Sequence, residues 1–558
     1  MNESKKGISM KLKKVEIIKF KNFENIIIDF EKNDKFPNVF SIASKNGGGK
    51  STLLQFIFIL LHCNSHEERK VYIKNLLDTF QDVTEDIEVV KFLIEHENEE
   101  FYLNFKITKS NTELYNFDVY LDIKDTENRI LNAKEEIVGH NRILQLRNEL
   151  NHAERLTPVI ERDIRHMQQY IKSSQEDMLY HEARKSRDIT LYKSLINLIV
   201  ERNSISDNEP DELELILNSL KNVLNILEEH LHNKNLQYIL HLQNNQNIVL
   251  LETNMSQKSL ILLSNKMFLT APNSQIFLFL SEEEKHNIFS DFKNNLEEDF
   301  VSWHRQRSYS DNIKKAKNNL KNFFTYDFAS TELILESFKR ASAEDLRIKR
   351  ETQTYGKKYD ELTDELKDFL DGKEITENVE GNRVIFKSKS NKQELSPEDL
   401  SHGELKKLGI YIWLKYIVEE NSIVLMDEID IALHPKWQYE LIKDLTQWSN
   451  NSQFLLATHS PQILSSTYYK NIIKLDNGQV KRYNQPPLDR DINAIIIEVM
   501  ESPSFPEDLL ELHKEYRKFI NDGKVNTDEA KNKKKEILEY ESENSSFFQD
   551  INFDLELM

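Results

Sequence analysis

The chain has 558 residues, 74 Lys and Arg against 94 Asp and Glu for a formal charge of −20, 39% hydrophobic residues and one cysteine. That excess of acid excludes a protein that coats nucleic acid along its whole surface, and a lone Cys63 excludes an internal disulfide or a Cys-rich zinc site. The longest apolar stretch is too short to span a bilayer and no leader-type segment is visible, so a cytoplasmic protein with no membrane partner is expected, large enough for one core plus an insertion or about three domains.

Val39-Phe40-Ser41-Ile42 is a short apolar run of strand formers, and Lys50 to Cys63 has the length and Leu/Ile/Phe content of a buried helix. Between them lies Ser44-Lys45-Asn46-Gly47-Gly48-Gly49-Lys50-Ser51-Thr52. The glycines let successive backbone N–H groups turn inward, an anion nest at a helix N-terminus where the dipole favours phosphate. Asn46, Gly47, Gly48, Gly49, Lys50, Ser51 and Thr52 are therefore expected to bind nucleotide, with Lys50 reaching the β- and γ-phosphates and Ser51 a ligand of Mg2+. Ser44 stands where the G-x-x-x-x-G-K-[ST] pattern has its first glycine.

Alternation over Ile87–Phe92, Glu100–Ile107 and Phe117–Ile123 predicts an antiparallel β-layer. From about Thr126 to Lys234 the sequence turns polar and helical, with Leu213, Leu217, Leu220, Leu224, Leu227 and Leu231 forming one apolar stripe that suits a packing helix or a partner-binding arm. Strand-like runs return at Ile248–Leu251 and Ile276–Leu280. A second helical section follows to about Leu370, and Gly372 to Gly381 marks the return to the main core. Basic residues gather at Arg305, Arg307, Lys314, Lys315, Lys317 and Lys321, and again at Lys339, Arg340, Arg347, Lys349, Arg350, Lys357 and Lys358, with Trp303, Tyr309, Phe323 and Phe324 interleaved. A single-stranded nucleic-acid groove and the wet face of a helix both fit this pattern.

Leu400-Ser401-His402-Gly403-Glu404 opens a helix expected to run to about Val418, offering a hydroxyl and free N–H groups to an anion. One phosphate cradle already exists, so this second anion-binding end is best explained if Ser401 and Gly403 complete the site of a second copy. Ile423 to Met426 reads as a central parallel strand buried on both faces, ending in Asp427 and Glu428 at the edge where open α/β sheets bind ligands. Asp427 is expected to hold Mg2+ and Glu428 to polarise the attacking water. A further apolar strand, Gln453–Ala457, ends in Thr458-His459, which puts His459 in reach of a γ-phosphate or that water.

Together these segments resemble an ABC-type ATPase of the RecF, SMC and OLD group. Leu400 to Glu404 is similar to the LSGGQ signature, with His402 and Glu404 as departures. Asp427 to Gln438 resembles the Walker B and D-loop stretch of stand-alone defence ATPases in that group, Thr458 to Pro461 their switch motif, and Ile17–Phe23 with Ile26–Phe30 their first two strands. The resemblance implies an α/β fold: a P-loop ATPase head with an antiparallel β-layer and a large helical insertion, using ATP and Mg2+. It also implies a homodimer, or higher even oligomer, closing head to tail on two shared ATP sites. The expected division is a first half-head at 1–125, a helical arm at 126–235, return strands at 236–281, a second helical section at 282–380, the second half-head at 381–485 and a helical tail with an acidic end at 486–558.

The helical sections are too short for chromosome-organising arms, and no Cys-x-x-Cys hook joins them. His230 and His232 on a Glu-rich stretch read as solvated surface, and the residues after His459 lack the acidic cluster of a metal-dependent nuclease. Asp491-Ile492-Asn493-Ala494-Ile495 followed by a helical hairpin resembles the tail of Septu-type ATPases, which act with a small HNH nuclease. The acidic end, carrying Phe547, Phe548 and Phe553, suits either docking on such a partner or a frayed terminus. The resulting expectation is a slow, regulatory ATPase in a bacterial anti-phage complex with a separate nuclease. The alternative is a RecF-like repair ATPase that clamps DNA.

Overall fold

The structure is a computed structural model. It describes residues 10–31, 35–80, 85–109, 235–242, 247–272, 318–325, 330–367, 369–377, 384–396, 399–449, 451–476 and 478–557, together with 275, 279 and 280. In chain order, β1 (Met10–Phe20) and β2 (Phe23–Asp29) precede β3 (Val39–Ser44), which runs into α1 (Lys50–Cys63). Next come α2 (Lys70–Leu77), β4 (Ile87–His96) and β5 (Glu99–Lys109). The description resumes with β6 (Leu236–His241), β7 (Asn247–Thr253), α3 (Gln257–Lys266), β8 (Met267–Ala271) and β9 (Phe323–Thr325). Two helices, α4 (Ser330–Thr352) and α5 (Lys358–Lys367), lead to β10 (Lys373–Glu377), β11 (Val384–Ser388) and β12 (Glu394–Leu395). Then follow α6 (His402–Tyr416), β13 (Ile423–Asp427), α7 (Pro435–Trp448), β14 (Gln453–Ala457), α8 (Pro461–Ser466), β15 (Ile472–Asp476) and β16 (Gln479–Arg482). The tail carries α9 (Glu507–Asn521), α10 (Asp528–Leu538) and α11 (Ser546–Leu557).

Two large sheets organise the core. One is antiparallel with order β2-β1-β4-β5-β7-β6, and the other runs β16-β15-β3-β14-β13-β8-β9, parallel except for the edge strand β16. Period-two alternation explains how the parallel layer is covered on both faces. Ile423 and Leu425 join a core that contains α1 and the antiparallel sheet, whereas Val424 and Met426 pack with Ile410, Trp413 and Leu441 of α6 and α7. Helix α1 is buried on nearly every face, and from Leu53 to Leu61 it is apolar but for Gln55, as a helix lying between two sheets must be. Phe56 on it stacks on Phe20 of β1 with ring centroids 4.1 Å apart. The phosphate loop is thus wedged between the two layers by its own helix.

The antiparallel layer was expected to take its third strand from Phe117–Ile123, which lies outside the described residues, as do the leucine stripe, His230, His232 and the basic run from Trp303 to Lys317. Among the described residues that layer consists of β1, β2, β4, β5, β6 and β7. Met267–Ala271, within the expected return strands at 236–281 but not singled out among them, is a parallel strand beside β13, with Met267, Leu269 and Ala271 all buried toward α1. Phe279 and Leu280, read as the end of a strand, are not in one.

Residues 282–380 were read as helical, and two stretches differ. Phe323–Thr325 pairs with β8, and Phe324 stacks on Trp413 with centroids 5.4 Å apart, so these aromatics are core and not a base-stacking platform. Residues 373–377 form the first strand of a small antiparallel sheet, β10-β11-β12. The cations of α4 favour the wet-helix reading: Arg340 pairs with Glu336, Arg347 with Glu344 and Glu351, and Lys349 lies 3.8 Å from the Tyr355 ring. The acidic end is neither frayed nor wholly free. Phe547 and Phe548 of α11 are buried against Tyr516 and Ile537, leaving Phe553 exposed. Among the described residues no helix is long and apolar enough to cross a membrane.

Candidate active site

Strand β3 ends at Ser44 and α1 begins at Lys50, so Lys45–Gly49 is a tight loop at the C-terminal edge of the parallel sheet. Gly49 has φ 90°, and an added Cβ would lie 2.6 Å from the Phe23 ring of β2, so both backbone sign and space demand glycine. Asn46 and Gly47 are exposed, while Ser51 and Thr52 are half-buried on the first turn of α1. Lys50 is buried, and its ammonium donates to Ser44 Oγ at 3.0 Å and meets His459 Nε2 at 2.7 Å. Ser44, the departure from the glycine pattern, therefore acts as a local acceptor for the loop lysine.

Burial lowers the Lys50 ammonium from its ordinary range, against the opposing charges of Asp427, Asp430 and Glu428. Burial also lowers His459, assisted by the Lys50 charge, which favours a neutral imidazole accepting from Lys50. His459 projects from just beyond β14, where Thr458 N–H donates to Ile42 carbonyl at 3.1 Å and fixes the strand end against β3.

Asp427 is the last residue of β13 and is buried, receiving the Ser51 hydroxyl at Oδ1 over 3.0 Å. Burial pushes its carboxyl up to about 6, with Ser51 pulling down and Glu428 pushing up. A hydroxyl and a carboxylate presented together form an all-oxygen pair that suits Mg2+. Glu428, half-buried, has φ 50°, and Ala432 has φ 63°. Left-handed backbone costs a side-chain-bearing residue roughly 1–2 kcal/mol, so the segment is held from outside. Its ties are Glu428 N–H to Ala457 carbonyl (3.1 Å), Thr458 Oγ1 to Asp430 Oδ1 (2.8 Å) and Gln438 Nε2 to the carbonyls of Asp430 and Leu433 (3.1 and 2.8 Å).

Ser401 and Gly403 do not meet this cradle within one chain. Ser401 is exposed and caps α6 in a reciprocal box: its hydroxyl accepts from Glu404 N–H at 3.3 Å, and its own N–H donates to Glu404 Oε2 at 2.9 Å. Glu404, the departure from the signature, is thereby a capping residue, and it also pairs with Lys373. Gly403 is buried, and an added Cβ would sit 2.4 Å from the Ala432 carbonyl oxygen, so its identity is set inside the chain. Sequence reading missed three participants: Lys406, Gln438 in this supporting role, and Lys474. Lys474 is buried beside the loop on β15 and paired with Glu501 at 2.6 Å. With Ser44, Asn46, His459 and Met500 it lines a cavity of about 250 Å³. A lysine within the strand sequence Ile472–Asp476 carried no motif to reveal it.

A parallel sheet presenting a glycine loop, a buried aspartate with an adjacent glutamate, and a histidine along one edge, backed by an antiparallel layer, defines a P-loop ATPase head. The chain belongs to the family described as "AAA domain, putative AbiEii toxin, Type IV TA system", whose model matches residues 45–465. It is 34% identical over 120 residues to the Retron Ec83 probable ATPase of Escherichia coli, covering 20% of this chain and 21% of that protein. It is 35% identical over 122 residues to the Retron Vc95 probable ATPase of Vibrio cholerae serotype O1 biovar El Tor, covering 20% and 24%. These matches span about a quarter or less of either relative's length. Similar solved structures include an Smc head domain with a coiled coil and joint from Pyrococcus yayanosii (TM-score 0.31, 14% identity, 85% of this chain and 97% of that one). Another is an SmcHead bound to the C-winged helix domain of ScpA (TM-score 0.33, 12% identity, 85% and 96%).

Proposed function

We propose that this chain hydrolyses ATP slowly and serves as the regulatory ATPase of a bacterial defence complex. The observation that carries the reading is the convergence of Lys50, Ser51, Asp427, Glu428 and His459 at one sheet edge, with Ser51 on Asp427 and Lys50 on His459. The backbone of Asn46–Gly49 would cradle the β- and γ-phosphates, and Lys50 would leave His459 to neutralise them. Ser51 and Asp427 would hold Mg2+, which supplies charge neutralisation at the phosphate oxygens when bound. Glu428 takes a proton from water as its oxygen attacks the γ-phosphorus, and the bond to the β–γ bridging oxygen breaks to release ADP. His459 orients that water or contacts the γ-phosphate.

The exposed Ser401 at the start of α6, with the half-exposed Ile431 nearby in the chain after Glu428, supports head-to-tail closure in which one copy's α6 completes the other copy's site. The retron names of two relatives and the toxin-antitoxin description of the family support a defence role. The Septu-like tail motif supports a separate HNH-type nuclease as partner. The buried Phe323 and Phe324 and the acid-paired cations of α4 weigh against a DNA clamp.

The test is phosphate release by the purified chain with Mg2+ and ATP, alongside mass spectrometry of what co-purifies from the native gene neighbourhood. Turnover abolished by Lys50→Ala, and a small nuclease in stable ratio, are expected. Absence of Mg2+-dependent turnover overturns the enzymatic reading, and recovery of DNA without a protein partner overturns the defence-complex reading.

A further inference from the structure

Lys406 lies one turn beyond Gly403 on α6 and is only 3% exposed. Its ammonium donates to the carbonyl oxygens of Glu428 at 3.0 Å and Ile431 at 2.9 Å. Those carbonyls lie within the segment in which Glu428 and Ala432 adopt left-handed backbone: one is Glu428's own and the other belongs to the residue before Ala432. Gly403 presses on the same segment through the Ala432 carbonyl. Burying an ammonium costs far more than burying a methionine of similar length. A lysine at this place is therefore expected only where the carbonyls it ties are worth holding.

We propose that Lys406 is a positioning residue for Glu428. It clamps the carbonyl of the glutamate's own peptide, so that the left-handed turn persists and the carboxylate is aimed across the sheet edge toward the phosphate loop. The clamp also makes the N-terminal turn of α6 and the Glu428–Ala432 segment one rigid piece. A displacement of Ser401 on meeting a second copy is then delivered to Glu428 directly. The inference rests on reading Glu428 as the base.

The experiment is steady-state ATP turnover and nucleotide affinity of the full chain for Lys406→Met, Lys406→Arg, Glu428→Gln and the Lys406→Met/Glu428→Gln double variant. Lys406→Met is expected to lower kcat about 10-fold or more with KM within about 3-fold. Lys406→Arg, which keeps charged donors, is expected to recover most of the loss. Because Lys406 acts through Glu428, adding Lys406→Met to Glu428→Gln should cost less than about 2-fold more. Wild-type turnover in Lys406→Met beside a crippled Glu428→Gln overturns the clamp, as do losses that multiply in the double variant. Normal turnover in Glu428→Gln overturns the base assignment instead. Should Lys406→Met not fold, Lys406→Gln, whose shorter and uncharged amide carries two N–H donors, makes the same comparison.

Discussion

Lys50 and His459, 409 positions apart in sequence, meet with Nζ 2.7 Å from Nε2. The contact leaves the ammonium held by an imidazole and a serine hydroxyl. Lys50→Ala should abolish nucleotide binding. His459→Ala should leave affinity within a few-fold and lower turnover by about 10- to 100-fold. Calorimetric titration with ATP beside a phosphate-release assay separates the two; loss of affinity in His459→Ala would make the histidine a binding group instead.

Glu428→Gln preserves the shape and backbone ties of the left-handed turn while removing the carboxylate proposed above as the proton acceptor. Binding should persist, turnover should fall about 100-fold or more, and the ATP-bound assembly should accumulate as a species of twice the mass in light scattering.

Ser401 is exposed and has no part in its own chain's cradle. Ser401→Arg sacrifices a helix cap worth about 1 kcal/mol, leaving monomer affinity for nucleotide intact. Placed in the Glu428→Gln background, it should prevent the doubling of mass. A dimer of normal stability would show that α6 does not meet a second site.

Asp427 exacts a stability cost. Its carboxyl sits at about 6 in the folded chain against 3.8 in an ordinary one, because it is buried. Between those values the folded chain binds the extra proton, so stability declines as pH rises from about 4 to 6 and the full penalty, about 3 kcal/mol, applies above 6. Asp427→Asn should therefore raise the melting temperature of the nucleotide-free protein at pH 7.5 more than at pH 4, while abolishing Mg2+-dependent turnover. An equal shift at both values would locate the effect elsewhere.

His62 has the opposite sign. Its Nδ1 lies 2.7 Å from the Ser264 carbonyl and its Nε2 3.2 Å from the Arg69 guanidinium, which commits both ring nitrogens to the neutral form. Burial, then the Arg69 charge, pushes it down to about 3. The unfolded imidazole takes a proton near 6.5, so the stability present above 6.5 is lost as pH falls toward 3. His62→Gln should flatten this acid limb in urea melts at pH 4.5 and 7.5, even if it lowers stability at the higher value.

The segments legible in sequence were those whose physics is local. A strand-loop-helix with three glycines, an apolar run ending in Asp427-Glu428, and a Ser401-x-Gly403 helix start each declare themselves within about ten residues, whereas the role of Glu404 as the cap partner of Ser401 does not. What escaped was set by partners distant in sequence. Phe323-Phe324-Thr325 is too short to show alternation and becomes a strand only because β8 offers an edge beside it. Met267–Ala271 looks like the end of α3 until β13 pairs with it. Gly403 read as an anion-binding glycine, yet the Ala432 carbonyl already explains why a side chain cannot stand there. Lys406 and Lys474 resemble surface lysines by composition, and only tertiary burial distinguishes them.

The absent Cβ of Gly49 has its space taken by the ring of Phe23, at the turn between the first two strands. A shift of the loop at Gly49 toward that ring would press on an aromatic that belongs to the other sheet. Linkage runs both ways: if ATP shifts that turn, then whatever grips the β1–β2 hairpin alters ATP affinity by the same factor. In that case the antiparallel sheet and the nucleotide site would be coupled through one aromatic contact.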